Sequence, residues 1–193
     1  RKAKKTGSSS FEFTSYWADA KNKTIIDLVD FTKTFFAKHA ILKILTQYCV
    51  FTSNKMLMVM RPYQIAATEA IVNQIQIAEN YKLWGKIKAG GYIWHTTGSG
   101  KTLTSFKVAQ IVSELGYVDK VMFVVDRQDL DYQTMREYDR FEKGAANGSK
   151  NTEKLKRNLD DNTKKIVVTT IQKLDSFIKK YDDHAIFNKK CVL

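Results

Sequence analysis

From residue 91 onward, apolar runs of strand length alternate with stretches of helical period. Val121–Val125 is an unbroken apolar run, Ile166–Val167–Val168 runs on into Thr169–Thr170, and Cys191–Val192–Leu193 begins a further one. Uninterrupted apolar strands belong in a sheet covered on both faces, which is how parallel sheets are built. The stretch Gly91–Tyr92–Ile93–Trp94 predicts one more strand ahead of these. Between the strands, Leu103, Phe106, Val108, Ala109, Ile111, Val112 and Leu115 recur at helical spacing and predict an amphipathic helix from Lys101 to about Glu114. A second helix is expected from Arg127 to about Phe141, followed by a loop containing Gly144 and Asn147–Gly148. A short one is expected around Leu174, Phe177 and Ile178. Strands alternating with helices at this spacing predict an α/β domain: a doubly wound parallel sheet with right-handed crossovers.

The first third reads differently. Residues 1–23 are polar, with Gly7–Ser8–Ser9–Ser10 and an aromatic island of Phe11, Phe13, Tyr16 and Trp17, the pattern of a linker that docks by its aromatics. Residues 24–60 form a helical connecting segment. Thr24 and Asp27 make a capping pair before Ile25, Ile26, Leu28, Val29, Phe31, Phe35 and Phe36; a second helix spans Lys38 to Gln47 and leads to the apolar Tyr48–Phe51. The α/β domain is placed at 61–193. Pro62 sits at the first turn of a helix that keeps Ile65, Ile71, Val72 and Ile75 on one face as far as about Asn80.

Composition narrows the classes. At 193 residues with 44% hydrophobic and 12% aromatic residues, the chain can bury a core and is not a disordered segment. No apolar run approaches the roughly 20 residues that cross a bilayer, so no membrane role is expected. Cys49 and Cys191 have no metal-ligand spacing and read as reduced thiols of a cytoplasmic protein. Thirty-two Lys and Arg against twenty Asp and Glu give a net charge of +12, which favours a polyanion such as nucleic acid as partner. The cations gather at Arg1–Lys5, at Lys150, Lys154, Lys156 and Arg157, at Lys164–Lys165, and at Lys179, Lys180, Lys189 and Lys190.

The chemistry sits at His95–Thr96–Thr97–Gly98–Ser99–Gly100–Lys101–Thr102. Gly98 and Gly100 let the backbone take positive φ and turn N–H groups inward onto a phosphate, and Thr97 and Ser99 beside them are expected to share in binding it. The helix that follows adds unpaired N–H donors and a partial positive charge. Lys101 is placed to reach the β- and γ-phosphates of a nucleoside triphosphate, and Thr102 to ligate its Mg²⁺. The pattern G-x-x-x-x-G-K-[ST] asks for glycine where this chain has His95, which reads as a packing residue.

Four segments then line up in order: Arg61–Pro62–Tyr63–Gln64, His95–Thr102, Val124–Val125–Asp126–Arg127–Gln128–Asp129–Leu130 and Val168–Thr169–Thr170–Ile171–Gln172–Lys173–Leu174. The series resembles the first RecA-like P-loop NTPase domain of superfamily 2 helicases and translocases. More narrowly, it resembles the R (restriction and motor) subunit of bacterial and archaeal type I restriction-modification enzymes. The resemblance implies ATP and Mg²⁺ as cofactors, double-stranded DNA as track, and methyltransferase and specificity subunits as partners. It implies that Lys101 and Thr102 serve ATP hydrolysis, that Gln64 with Arg61 reads the adenine edge, with Tyr63 or Phe51 a candidate to stack on the ring, and that Arg127, Gln128, Thr169 and Thr170 contact the DNA backbone. Capping of the following helices is an equal reading for the two threonines. It also implies a nuclease domain upstream, an acidic Mg²⁺-binding strand after Leu193 and a second RecA-like domain, so that the chain reads as a fragment expected to be inactive alone. Another superfamily 2 helicase, a small P-loop kinase and a docking module built on residues 1–60 are the alternatives. Some ninety residues ahead of the phosphate turn count against the kinase.

Overall fold

The computed structural model describes residues 15–126, 128–141, 143–144 and 146–193, with backbone alone for 128–133. Phe11 and Phe13 of the expected aromatic island lie outside them. Trp17 docks as expected: its ring meets Phe35 edge-on at 5.2 Å and its Nε1 donates to Thr34 Oγ1 at 3.0 Å. Those partners lie on α1 (Leu28–Phe35), whose N-cap is Asp27, accepting from the N–H groups of Val29 and Asp30. The expected capping pair is thereby corrected. Thr24 does not cap; it bridges to Ala18 across a small hairpin. Next come α2 (Lys38–Gln47) and an antiparallel pair that the hydrophobic pattern did not predict as two strands, β1 (Cys49–Phe51) with β2 (Leu57–Val59). Both helices leave their outer faces apolar and exposed, as at Leu28, Phe36 and Leu45.

Pro62 opens α3 (Pro62–Asn80), where its missing N–H is no loss. After it come α4 (Lys101–Ser113), β3 (Lys120–Val125), α5 (Gln128–Phe141), β4 (Asn147–Gly148), α6 (Thr152–Asp160), β5 (Ile166–Thr170), α7 (Ile171–Lys180) and β6 (Cys191–Val192). The last four strands form one parallel sheet in the order β4-β5-β3-β6. Asn147–Gly148, expected as loop, is its edge strand, because the two residues pair with Val167 and Val168. α6 was not anticipated, since its charged surface hides the two leucines that bury it.

Alternation along the buried strands sorts their side chains into two layers. Val121, Ile166 and Val168 pack with Phe106, Val112, Tyr138 and Phe141 on one face, whereas Met122 and Val167 pack with Leu155, Leu159, Phe177 and Ile186 on the other. That is the doubly wound arrangement expected. α4 lies so deep that Thr104 and Lys107 are buried along with its apolar residues, which is more than an amphipathic surface helix would bury.

Two polar contacts, one buried and one partly exposed, link elements far apart in sequence. Lys120, 1% exposed, donates from Nζ to the carbonyls of Asn158 (3.1 Å), Asp161 (2.6 Å) and Lys164 (2.8 Å), closing the carboxyl end of α6. Burial, aided by Lys189, pushes its pKa down. At the far end of α3, Glu79 accepts from Lys190 Nζ (2.7 Å) and Trp84 Nε1 (3.0 Å), and Lys190 lies 4.4 Å from the Trp84 ring.

One prediction fails. Gly91–Trp94 forms no strand: Tyr92 and Trp94 are 89% and 88% exposed. A strand exists by its ladder, and β6, the sheet edge, engages only Lys120 and Val121 of β3 and makes no pair with this segment.

Candidate nucleotide-binding turn and strand-end edge

The phosphate turn is held from α3 rather than from the sheet. Tyr63 Oη and Gln64 Nε2 both donate to the Ser99 carbonyl, at 2.9 and 2.8 Å. Gln64 Oε1 accepts from the Arg61 N–H at 2.9 Å, so the carboxamide is bonded at both ends and 5% exposed. The role expected for Gln64, reading an adenine edge, is therefore not what this geometry presents; its side chain braces the turn. Tyr63 meets His95 edge-on at 6.0 Å, which makes His95 the packing residue it was taken for.

Gly98 and Gly100 take φ of +77° and +82°. Both need glycine for that reason, and a Cβ on Gly100 would also run into Gln64 Nε2. Gly100 is the N-cap of α4 and supplies no side-chain cap for the N–H donors at the mouth of that helix. Lys101 is exposed, its Nζ turned back onto the Thr96 carbonyl at 3.0 Å; Ser99 Oγ donates to the same oxygen at 2.7 Å. Thr102 follows, half-buried.

Beside the turn opens a cleft of about 680 Å³, lined by Arg61, Tyr63, His95 and the Thr96–Ser99 backbone and closed on another side by Ala20, Lys21 and Asn22. That volume is within the few hundred to 1,000 Å³ usual for small-ligand sites. Hydrophobic periodicity could not place the Ala20–Asn22 tip there. The signal available was Asn22 itself, a residue that tolerates the left-handed conformation it adopts at φ 61°. Phe51 stays outside the cleft, 73% exposed on β1.

The expected DNA contacts divide. Arg127 and the side chain of Gln128 lie outside the described residues. Thr169 and Thr170 stand at the carboxyl end of β5 but have no exposed surface, and Thr170 Oγ1 accepts from the Lys173 N–H at 3.3 Å as the cap of α7. Direct backbone contact through these two side chains is corrected to capping and packing. Thr169 Oγ1 is buried without a hydrogen-bond partner. Cys49 and Cys191 are free, their pKa raised by burial.

The residues present fit a nucleoside triphosphate with its metal: two left-handed glycines, a helix start whose N-cap has no side chain, an exposed lysine and an adjacent hydroxyl. The fold and this turn define a P-loop α/β domain of the RecA-like kind.

A family profile of the SWI2/SNF2 ATPases matches residues 63–192. The chain is 48% identical over 183 residues to a Mycoplasma pneumoniae protein provisionally named as the C-terminal part of the type I restriction enzyme MpnIIP endonuclease subunit; the match covers 92% of this chain and 89% of that one. It is 44% identical over 165 residues to the type I restriction enzyme SsaAORF53P endonuclease subunit of Staphylococcus saprophyticus, covering 85% of this chain but 17% of that subunit. Over 72 residues, 37% of this chain and 23% of the relative, it is 54% identical to the EcoprrI endonuclease subunit of Escherichia coli. The chain belongs to the SWI2/SNF2 ATPase family and, within it, to the endonuclease (R) subunits of type I restriction enzymes. Among the described residues no helix is long and apolar enough to cross a membrane.

Proposed function

We propose that this chain is the phosphate-binding part of an ATP-driven DNA motor. The observation that carries the reading is the Gly98–Thr102 turn opening α4 beside the cleft of about 680 Å³. ATP would enter with its phosphates against the turn and its base toward Arg61 and Tyr63. Lys101 would exchange the Thr96 carbonyl for phosphate oxygens, and Thr102 would ligate Mg²⁺, which when bound neutralises charge building up on the phosphates. Gln64 and Tyr63 fix the Ser99 carbonyl, so the turn would be held in place before the ligand arrives. A role for Gln64 at the adenine edge would use the second N–H and second lone pair that its carboxamide keeps beside the bonds to Ser99 and Arg61.

In the complete subunit this site would work with a second motor domain to move along double-stranded DNA, and a nuclease domain of the same subunit would cut. Methyltransferase and specificity subunits would supply sequence recognition, in the cytoplasm. The subunit names of the relatives and the net charge of +12 support this reading.

Thermal melting of the chain with and without millimolar ATP and Mg²⁺ tests it, with Lys101→Ala alongside. Free ligand at 100 times its dissociation constant adds about 2.7 kcal/mol. A stabilisation that disappears in Lys101→Ala, with the ligand-free midpoint unchanged, is expected. An equal stabilisation in both proteins would remove Lys101 from the site.

A further inference from the structure

Three cations that the fold gathers on one flank belong to no part of the phosphate turn. Lys150, Lys154 and Arg157 line an open groove of about 390 Å³ together with Gly148, Asn151 and Glu153. Lys154 and Arg157, three residues apart, are neighbours on the exposed side of α6, which buries Leu155, Asn158 and Leu159, and Lys150 stands just ahead of the helix. Among the described residues none of the three has an ion-pair partner. Lys156 pairs with Asp160 at 2.9 Å, and the groove's carboxylate, Glu153, lies 3.8 Å from Lys180. Three unpaired like charges in one groove repel one another, and a polyanion would relieve that repulsion.

The groove's position gives it a direction. In a parallel sheet all carboxyl ends lie at one edge, where ligands of such folds bind. Lys150 follows β4, which neighbours β5, which neighbours β3, so the groove continues the edge that runs past Thr170 and Asp126. At about 1.5 Å per residue Lys154 and Arg157 lie about 4.5 Å apart along the axis of α6, and Lys150 extends the row on the β4 side. A DNA strand places a phosphate about every 3.4 Å along the duplex axis, so cations spread along such a groove meet more than one of them.

We propose that Lys150, Lys154 and Arg157 form a backbone-binding site for double-stranded DNA at the β4 end of the sheet. The site rests on the DNA-motor reading above. It holds phosphates and reads no bases, since lysine and arginine on an open groove meet a uniform backbone.

The test is binding of a short labelled duplex to the chain across roughly 50–200 mM salt, comparing wild type with Lys150→Gln/Lys154→Gln/Arg157→Gln. A matched control, Lys164→Gln/Lys165→Gln/Lys189→Gln, removes three charges from the amino-terminal edge of the same sheet. The expected result is a salt slope lower by about 3 in the groove variant, an affinity lower by at least tenfold for every sequence tried, and a much smaller change in the control. The ATP-dependent thermal shift should be the same in all three proteins. Equal losses in groove variant and control would reduce the effect to net charge and overturn the site, as would an unchanged slope in the groove variant. Either result leaves the motor reading standing. Absence of duplex binding by the wild type would overturn both the groove and the DNA reading, while a surviving ATP shift would still support the nucleotide site.

Discussion

Two glycines in one turn, two residues apart, offer a comparison that isolates a single contact. Alanine at Gly98 must adopt φ near +77°, and no atom lies within 4 Å of where its Cβ would stand. Its cost is left-handed strain alone, about 1–2 kcal/mol. Alanine at Gly100 carries the same strain at φ +82° and also drives its Cβ into Gln64 Nε2, which donates to the Ser99 carbonyl at 2.8 Å. Losing that bond adds about 1 kcal/mol, so Gly100→Ala should be destabilising by about 2–3 kcal/mol. For a chain of this size each kcal/mol lowers the melting midpoint by roughly 2–4 °C, so the two variants should separate by about that much. The assay is reversible melting of wild type, Gly98→Ala, Gly100→Ala, Gln64→Ala and the double variant Gln64→Ala/Gly100→Ala. In the cycle, the extra penalty of Gly100→Ala should vanish once Gln64 is gone. Equal midpoints for Gly98→Ala and Gly100→Ala would refute the reasoning, because they would mean that Gln64 does not brace the turn.

Two further outcomes follow from buried and charged contacts. Lys120→Met should be destabilising by about 3 kcal/mol or more, because the carbonyls of Asn158, Asp161 and Lys164 lose their donor; chemical denaturation measures it, and a change below about 1 kcal/mol would show that α6 ends without needing the lysine. Acid should destabilise the fold in a definite window. A hydrogen bond from Lys156 holds Asp160 below its usual 3.8, a bond from Thr163 does the same for Asp161, and one from Lys190 holds Glu79 below 4.5. A carboxylate lowered in the folded state contributes stability above its ordinary pKa and loses it as pH falls through the lowered value. The midpoint should therefore be level between about pH 7 and 5 and fall below about pH 4, with a shallower fall in Asp160→Asn. A midpoint insensitive to acid would contradict this assignment.

The parts of the fold legible in the sequence are those where one signal dominates. Val121–Val125 and Ile166–Val168 have no polar interruption, so they had to be covered on both faces, and both lie in central strands. Pro62 and Gly100 mark the starts of α3 and α4 because each residue has a backbone reason to stand there. The misses arise where pairing rather than composition decides. Gly91–Trp94 looks like a strand by content but finds no partner, and Asn147–Gly148 looks like a turn but lies beside Val167 and Val168. At the site, the turn was readable because glycine, lysine and threonine have distinct physical jobs. The bracing by Gln64 was not, because a carboxamide serves a ligand or a neighbouring carbonyl equally well, and only distance separates the two. Thr169 and Thr170 illustrate the same limit: position at a strand end is visible in sequence, whereas complete burial is not.

Taken together, the contacts of α3 explain why the phosphate turn is well placed although its flanking segment has no sheet neighbour. The helix begins at Pro62 with two side chains bonded to the Ser99 carbonyl and finishes near Glu79, which is bonded to Lys190 just ahead of β6. Nineteen residues at about 1.5 Å each make a strut of roughly 28 Å between the turn and the sheet edge. A ligand that draws Lys101 away from the Thr96 carbonyl acts on a loop already fixed at Ser99. The opposite end of α3 is held by an ion pair, an indole N–H and a cation over the Trp84 ring. The turn thus has two ties to the sheet: α4, which starts in it and packs on β3 and β5, and α3, which reaches from Ser99 to Lys190.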